Sequence, residues 1–596
     1  MRRPIAVLAL GATVAGAARG GGADFPRHLT EGPNLPRDVP LDTYWLGPYS
    51  GSVGDASRWS PHVPGAFIGH FLNVHIREVG APYEITGAGL YAWNLIVPSS
   101  GASVTTGFLS VKDTVDLERG TLRMRSSTNS YAMARRFHIG GVLIVEGRCA
   151  FSAWQQYSTA PDEFIVTGAM WCLGLDASIY DNLTRSWGAI QNEGEIVVAA
   201  TGPGQYVTLQ APRIDNDGLL RIDGAFDNRE RTVFGLAKNA GRIEAAGDGA
   251  RIFCVDDGLT NHGDIIVEAG GSLELHASTL RHEGGLISTA GELALDCELI
   301  EWSGGGFDDN VLLSNIRLEL IGDGPSGAVG LGPACILEGD IPEGVTISLG
   351  TMNTEDGPVH AEVVWPGGVN RGRIETNDSA HNQFVADGVI QNEGEIAAVQ
   401  GWILAEIRGP GHVRLGVFSL VGQVGGANVF DGPVEVDPHA RAQVNGATTL
   451  RGALRVRPTF AAILPNFQHQ VAFTAPLTIE GGALEIDPGP GFAPAWGRVY
   501  NLVGAPSVVG DFASVSAAPL PDPLWRWEIE RYGASYRGRI AHLADVNRDL
   551  GIDFQDINAV VSAFGQAGGS EDVNGDGVVN FADLIIVAEH FGQYAG

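Results

Sequence analysis

From Tyr91 to Val444 apolar and polar residues alternate in short runs, each broken by glycine or by an Asn-x-Gly turn. The clearest unit, Ile190-Gln-Asn192-Glu-Gly194-Glu-Ile196, recurs unchanged as Ile390-Gln-Asn392-Glu-Gly394-Glu-Ile396. Between them stand Ile214-Asp-Asn216-Asp-Gly218, Lys238-Asn239-Ala-Gly241-Arg-Ile243 and Thr260-Asn261-His-Gly263-Asp-Ile265, with Leu280-Arg-His282-Glu-Gly284 a degenerate copy. Asn192, Asn216, Asn239 and Asn261 are 24, 23 and 22 residues apart. Weaker units around Gly120 and Gly141 extend the pattern upstream, and Val369-Asn370-Arg-Gly372-Arg-Ile374 resumes it later. Alternation with a period of two sends every second side chain to one face of a strand. A single unit cannot bury that face alone, so successive units must stack. The expected fold is mostly β, a right-handed parallel β-helix (solenoid). Ile196, Ile243, Ile265 and Ile396 should point inward, and the four Asn should form one column at a coil corner. The glycine of each Asn-x-Gly is expected to supply positive-φ tolerance at the turn. An array of β-sandwiches is the competing arrangement.

The flanks read differently. Residues 1–23 carry Arg2 and Arg3, an apolar run from Ile5 to Val14 and an Ala15-Gly16-Ala17 cleavage motif, as a signal peptide does. Export to the cell surface or medium is the expected localisation. Residues 24–90 are expected to form an N-terminal cap. Their Trp45-Leu-Gly47 and Trp59-Ser-Pro61-His-Val-Pro64 runs resemble the opening cassette of large bacterial surface β-helix proteins. Residues 91–444 are the repeat region, and 445–543 read as terminal coils and a C-terminal cap. There Gly497-Arg-Val-Tyr500 and Val509-Gly510-Asp511-Phe512 resemble the end of autotransporter-like passenger β-helices. No apolar run is long enough to span a bilayer.

Residues 544–596 contain one loop–helix pattern written twice. Asp545, Asn547, Asp549, Gly551, Asp553 and Asp556 stand at positions 1, 3, 5, 7, 9 and 12 of the first loop. Asp572, Asn574, Asp576, Val578, Asn580 and Asp583 hold those positions in the second, each offset by 27 residues. Side-chain oxygens at 1, 3, 5 and 12, a backbone carbonyl at 7 and a water held by 9 are the ligand set of a hard cation such as Ca²⁺. Each loop leads into an apolar stripe of helical spacing: Ile557, Val560, Val561, Phe564, then Leu584, Val587, Ala588, Phe591. The second copy has Gly577 at position 6, where the turn needs positive φ; the first has Leu550, which points to a distorted or weaker site.

This duplication, with Asp at position 12 and Ile552 or Val579 at position 8, resembles the type I dockerin, an EF-hand-like module. The resemblance implies two Ca²⁺ sites and a cohesin-like protein as partner. It also implies a partner surface beside the loops, at Phe554, Gln555, Phe581 and Ala582. The stripes Ile557, Val560, Phe564 and Leu584, Val587, Phe591 are expected to meet in the core of an antiparallel helix pair.

A net charge of −31 over 596 residues argues against nucleic acid as a partner. The 83 glycines and 18% charged residues suit many strands and tight turns. Cys149, Cys172, Cys254, Cys297 and Cys335 are too far apart in sequence for a zinc motif and read as buried strand positions. For catalysis the best candidates are Asp256-Asp257 with His262 and Asp264, and then Asp308-Asp309. Two functions follow. One is a surface scaffold or adhesin attached through the dockerin-like module. The other is a glycoside hydrolase or polysaccharide lyase recruited through that module to an extracellular polysaccharide.

Overall fold

The computed structural model describes residues 89–595 apart from 99, 112, 153–162, 182–188, 200–206, 225–230, 309, 355–356, 377–380, 459–468 and 490–491. Before Gly89 it describes Arg58 and five short strands: Leu41–Trp45, Gly51–Ser52, Trp59–Ser60, Leu72–Ile76 and Tyr83–Gly87. The signal-peptide segment and most of the N-terminal cap lie outside the described residues.

Almost all strands join one continuous sheet by parallel pairing between successive coils. That rules out a sandwich array, whose strands pair antiparallel. The inward column Ile196, Leu220, Ile243, Ile265, Ile287 runs in register from coil to coil and is fully buried, as is Ile396 further along. Parallel pairing reaches back to Leu41–Trp45 on Leu72–Ile76, so the stack already includes strands of the segment read as a cap. It continues to Ser514–Ala517 on Ala483–Ile486.

The asparagines stack as an amide ladder. Asn192 Nδ2 donates to Asn216 Oδ1 at 2.6 Å, Asn216 to Asn239 at 2.7 Å, and Asn239 to Asn261 at 2.6 Å. His282 ends the column, its Nδ1 3.0 Å from Asn261 Nδ2 and its Nε2 3.1 Å from the Gly306 carbonyl. An amide nitrogen only donates, so Nδ1 accepts and Nε2 carries the proton. A second ladder joins Asn370 to Asn392 at 2.8 Å. The Oδ1 atoms of Asn192 and Asn370, the first rung of each ladder, are buried without a partner. That is the cost of starting a chain of donors that all point one way.

The glycines of Asn-x-Gly act otherwise than expected. Gly194, Gly218, Gly241 and Gly263 are not among the positive-φ residues. A methyl group on Gly241 would stand 2.0 Å from the Gly218 carbonyl oxygen, and one on Gly263 1.8 Å from that of Gly241. These positions are glycine because neighbouring coils touch backbone to backbone there.

At the C-terminal end an antiparallel hairpin, Trp525–Tyr532 with Ser535–His542, covers the last coil through the pairing of its second strand with Val499–Gly504. Arg531 donates to the Val508 and Gly510 carbonyls at 2.6 and 2.7 Å, which blunts the open edge of Val508–Asp511. Three of the five cysteines, Cys172, Cys297 and Cys335, are free and buried, and Cys254 is free and half-buried. Burial pushes the Cys172 and Cys297 thiols up to about 12, so neither is a ready nucleophile. Among the described residues no helix is long and apolar enough to cross a membrane.

Candidate metal centre

The two loops lead into the only two helices among the described residues, α1 (Phe554–Ser562) and α2 (Phe581–Glu589). Position 9 of each loop is the helix N-cap. Asp553 accepts from Gln555 N at 2.6 Å and Asn580 from Ala582 N at 2.7 Å. Position 12 completes the capping box. Asp556, fully buried, accepts from Asn547 N at 3.0 Å on one oxygen and Asp553 N at 2.8 Å on the other. Asp583 does the same with Asn574 N at 2.9 Å and Asn580 N at 2.8 Å. One carboxylate therefore ties the loop's start to the helix's start, which explains a short Asp at this position.

Around the rest of each loop, position 3 accepts from the N–H of position 5, and position 5 from the N–H of position 7. The position 6 amide donates to position 1, as Leu550 to Asp545 at 3.2 Å and Gly577 to Asp572 at 2.8 Å. Three backbone and side-chain donors hold the Asp576 carboxyl below the usual carboxylate range. Burial, chiefly, raises that of Asp545, and the neighbouring Asp556 and Asp549 charges add to it. Among the described residues no three His, Cys, Asp or Glu side chains converge closely enough to hold a metal. The loop carboxylates are turned toward N–H donors instead. One oxygen is left over: Asp572 Oδ1 is buried without a hydrogen-bond partner.

The first loop does take the turn that Leu550 was expected to disturb. Arg548 and Leu550 sit at φ 63° and 75°, beside 70° and 94° for Gly575 and Gly577. The shape is the same, and the difference is strain of about 1–2 kcal/mol per non-glycine residue.

The two copies are joined by a twofold exchange of backbone bonds. Ile552 donates to Gln593 O and accepts from Gly592 N, at 2.9 and 2.7 Å. Val579 makes the equivalent pair with Gln566 and Gly565, at 2.9 and 2.8 Å. Each loop is thus strapped to the segment that follows the other helix. Ile552, Val560, Val579 and Val587 form the centre of the small core, with Ile557 and Leu584 packed against it. Phe564 and Phe591 were expected in that core and are exposed instead, as are Val561 and Ala588. The helices end at Ser562 and Glu589, so the i+7 projection to either Phe runs past the last helical residue. Each caps a loop-side ring across the twofold: Phe554 meets Phe591 at 5.1 Å and Phe581 meets Phe564 at 5.4 Å, both edge to face. Phe554 and Phe581 are 69% exposed.

The catalytic candidates are not brought together. Asp256 and Asp257 occupy the corner before strand Leu259–Asn261, His262 the corner after it, and Asp264 opens the next strand, Asp264–Val267. His262 lies 3.5 Å from Glu283, and Asp264 accepts from Leu286 N. Asp308 accepts from the Thr289 and Asn310 amides, and Asp309 is outside the described residues. Carboxylates further along one outer face are matched by cations: Arg373 with Glu375 and Glu395, Arg414 with Asp437, Arg455 with Glu485. Such a ladder of pairs is a structural surface, each carboxylate already matched to a guanidinium.

Comparison with protein-family models, with curated proteins and with solved structures returned no match for this chain.

Proposed function

We propose that this chain is an exported β-helix scaffold, attached to a cohesin-like partner by a calcium-dependent dockerin-like module at its C-terminus. The observation that carries the reading is the twofold pair of loop–helix copies, each with oxygen donors at positions 1, 3, 5, 7, 9 and 12. In the second loop Ca²⁺ would be held by Asp572, Asn574, Asp576, Asp583 and the Val578 carbonyl, with Asn580 holding a water. The first loop offers Asp545, Asn547, Asp549, Asp556, the Gly551 carbonyl and Asp553 in the same roles. The unpartnered Asp572 Oδ1 supports the fit, because a buried oxygen without a donor is costly and a cation relieves it.

A scaffold is favoured over a polysaccharide-degrading enzyme because the Asp256, Asp257, His262 and Asp264 candidates are spread over two corners and the start of a strand. The test uses the full chain. Ca²⁺ should bind, and EDTA should release a protein bound through the module. Absence of any Ca²⁺ uptake by calorimetry would reject the reading. Reducing-sugar release from a panel of polysaccharides would move it to the enzymatic alternative.

A further inference from the structure

The two loops are equivalent by sequence and by backbone, yet among the described residues only the first forms ion pairs with the hairpin that covers the β-helix. Asp545 is 3% exposed, whereas its counterpart Asp572 is half-exposed. The hairpin cap makes the difference. Arg539, on strand Ser535–His542, places its guanidinium 3.8 Å from Asp545 Oδ2 and 3.4 Å from the Arg548 carbonyl. Arg548 in turn pairs with Glu528 of the other cap strand at 3.2 Å. Leu550 faces the Gly497 turn, where an added methyl group would stand 3.2 Å from its Cδ2 and 2.6 Å from Ala595 Cβ. Of the two residues held at positive φ in the first loop, Arg548 is paired to the cap and Leu550 faces the turn at Gly497 that precedes the last coil. Among the described residues no Lys, Arg or His pairs with a carboxylate of the second loop, and there Asp572 Oδ1 has no partner at all.

We propose that the β-helix cap is a resident clamp on the first loop. Arg539 supplies part of the positive charge a cation would bring, so the first loop binds calcium weakly and holds its shape without it, and the second loop alone is ordered by the ion. The inference rests on the calcium reading and adds to it the order and purpose of the two sites. A guanidinium beside the position 1 carboxylate satisfies that carboxylate without metal and repels an incoming dication. The cap contacts of Arg548 offset part of the loop's strain, so the first loop keeps its shape when metal is removed. The second loop has neither aid and depends on the ion.

The test is Ca²⁺ titration of the full chain by calorimetry, with Arg539→Gln and Arg539→Lys. Wild type should show a tight and a weak site. Asp572→Ala should remove the tight one and leave the weak one. Arg539→Gln should tighten the weak site by roughly tenfold, through loss of one like charge nearby; Arg539→Lys should leave it near wild type. Two sites that Arg539→Gln leaves unchanged, or a tight site abolished by Asp545→Ala, would overturn the proposal while leaving the calcium reading intact. No Ca²⁺ uptake at all would overturn both. Hydrogen exchange on the unmutated chain in EDTA gives a second measure that does not depend on how the variants fold. Amides of residues 545–556 should stay protected while those of 572–583 exchange quickly; equal exchange in the two loops would contradict the clamp.

Discussion

At the scale of single residues the amide ladder is the most exacting feature. Asn239 receives the Asn216 amide, donates to Asn261 Oδ1 and also reaches the Asp264 carbonyl at 3.1 Å. Replacing it with Ala removes a buried link and leaves Asn261 Oδ1 without its donor. The expected loss is about 1–3 kcal/mol, measured by hydrogen exchange of the adjoining coils. His282 adds a pH dependence. Burial lowers its pKa from 6.5 to about 4, so the folded coil binds fewer protons than the unfolded chain between those values. Its contribution to stability is complete above pH 6.5 and is lost as pH falls toward 4, by about 3 kcal/mol. Protonation would set an N–H of the ring against the Asn261 amide. His282→Asn, which continues the ladder in kind, should flatten this dependence in the same exchange experiment. The asparagine column was legible in the sequence because residue type and spacing both repeat. The glycine role was not. Sequence shows that a side chain is missing, and both a left-handed turn and a close approach between coils require that. Only the neighbouring coil, 22–24 residues away, distinguishes them.

At the scale of elements the loop–helix pair was legible wherever periodicity holds inside a helix, as at Val560 and Val587. It failed at Phe564 and Phe591, where the chain has already left the helix. Position 8 was read as a mark of resemblance. Its physical work, as Ile552 and Val579 show, is to strap each loop across the twofold. In the proposed function the aromatic pairs left outside are the surface that would meet the partner, since exposed Phe on so small a module is otherwise unfavourable. Phe554→Ala combined with Phe581→Ala should leave Ca²⁺ binding and helical circular dichroism near wild type. It should weaken partner capture by about 2 kcal/mol or more, read as a faster off-rate in surface binding. Loss of folding in this double variant would show that the rings support the module itself.

At the scale of the molecule the solenoid and the module meet without a linker. Strand Ser535–His542 ends three residues before Asp545. Trp496 of the terminal coils belongs to the same buried cluster as Val546, Ile552, Val560 and Val587, with Trp525 and Leu543 packed against it. The Trp496 ring lies 5.4 Å from that of His542, which lies 4.9 Å from His590 beyond α2. Trp496→Ala should therefore destabilise the module by about 3–5 kcal/mol, although residue 496 lies outside it. Thermal unfolding followed by helical circular dichroism would detect this, with the β-sheet signal as the internal reference. Nothing in the sequence marked Trp496 for this role. A tryptophan between two apolar regions looks the same whether it faces one of them or joins both.

That shared core has a mechanical consequence. A protein held through a flexible tether samples every direction about its attachment point, and its far end explores a sphere. With the module as the proposed attachment point, that point and the long axis of the solenoid are cemented together, so seizing the module would also aim the shaft. Several copies bound along one receptor would stand like bristles, each at the same pitch, and a force applied at a tip would pass through packed side chains to the receptor.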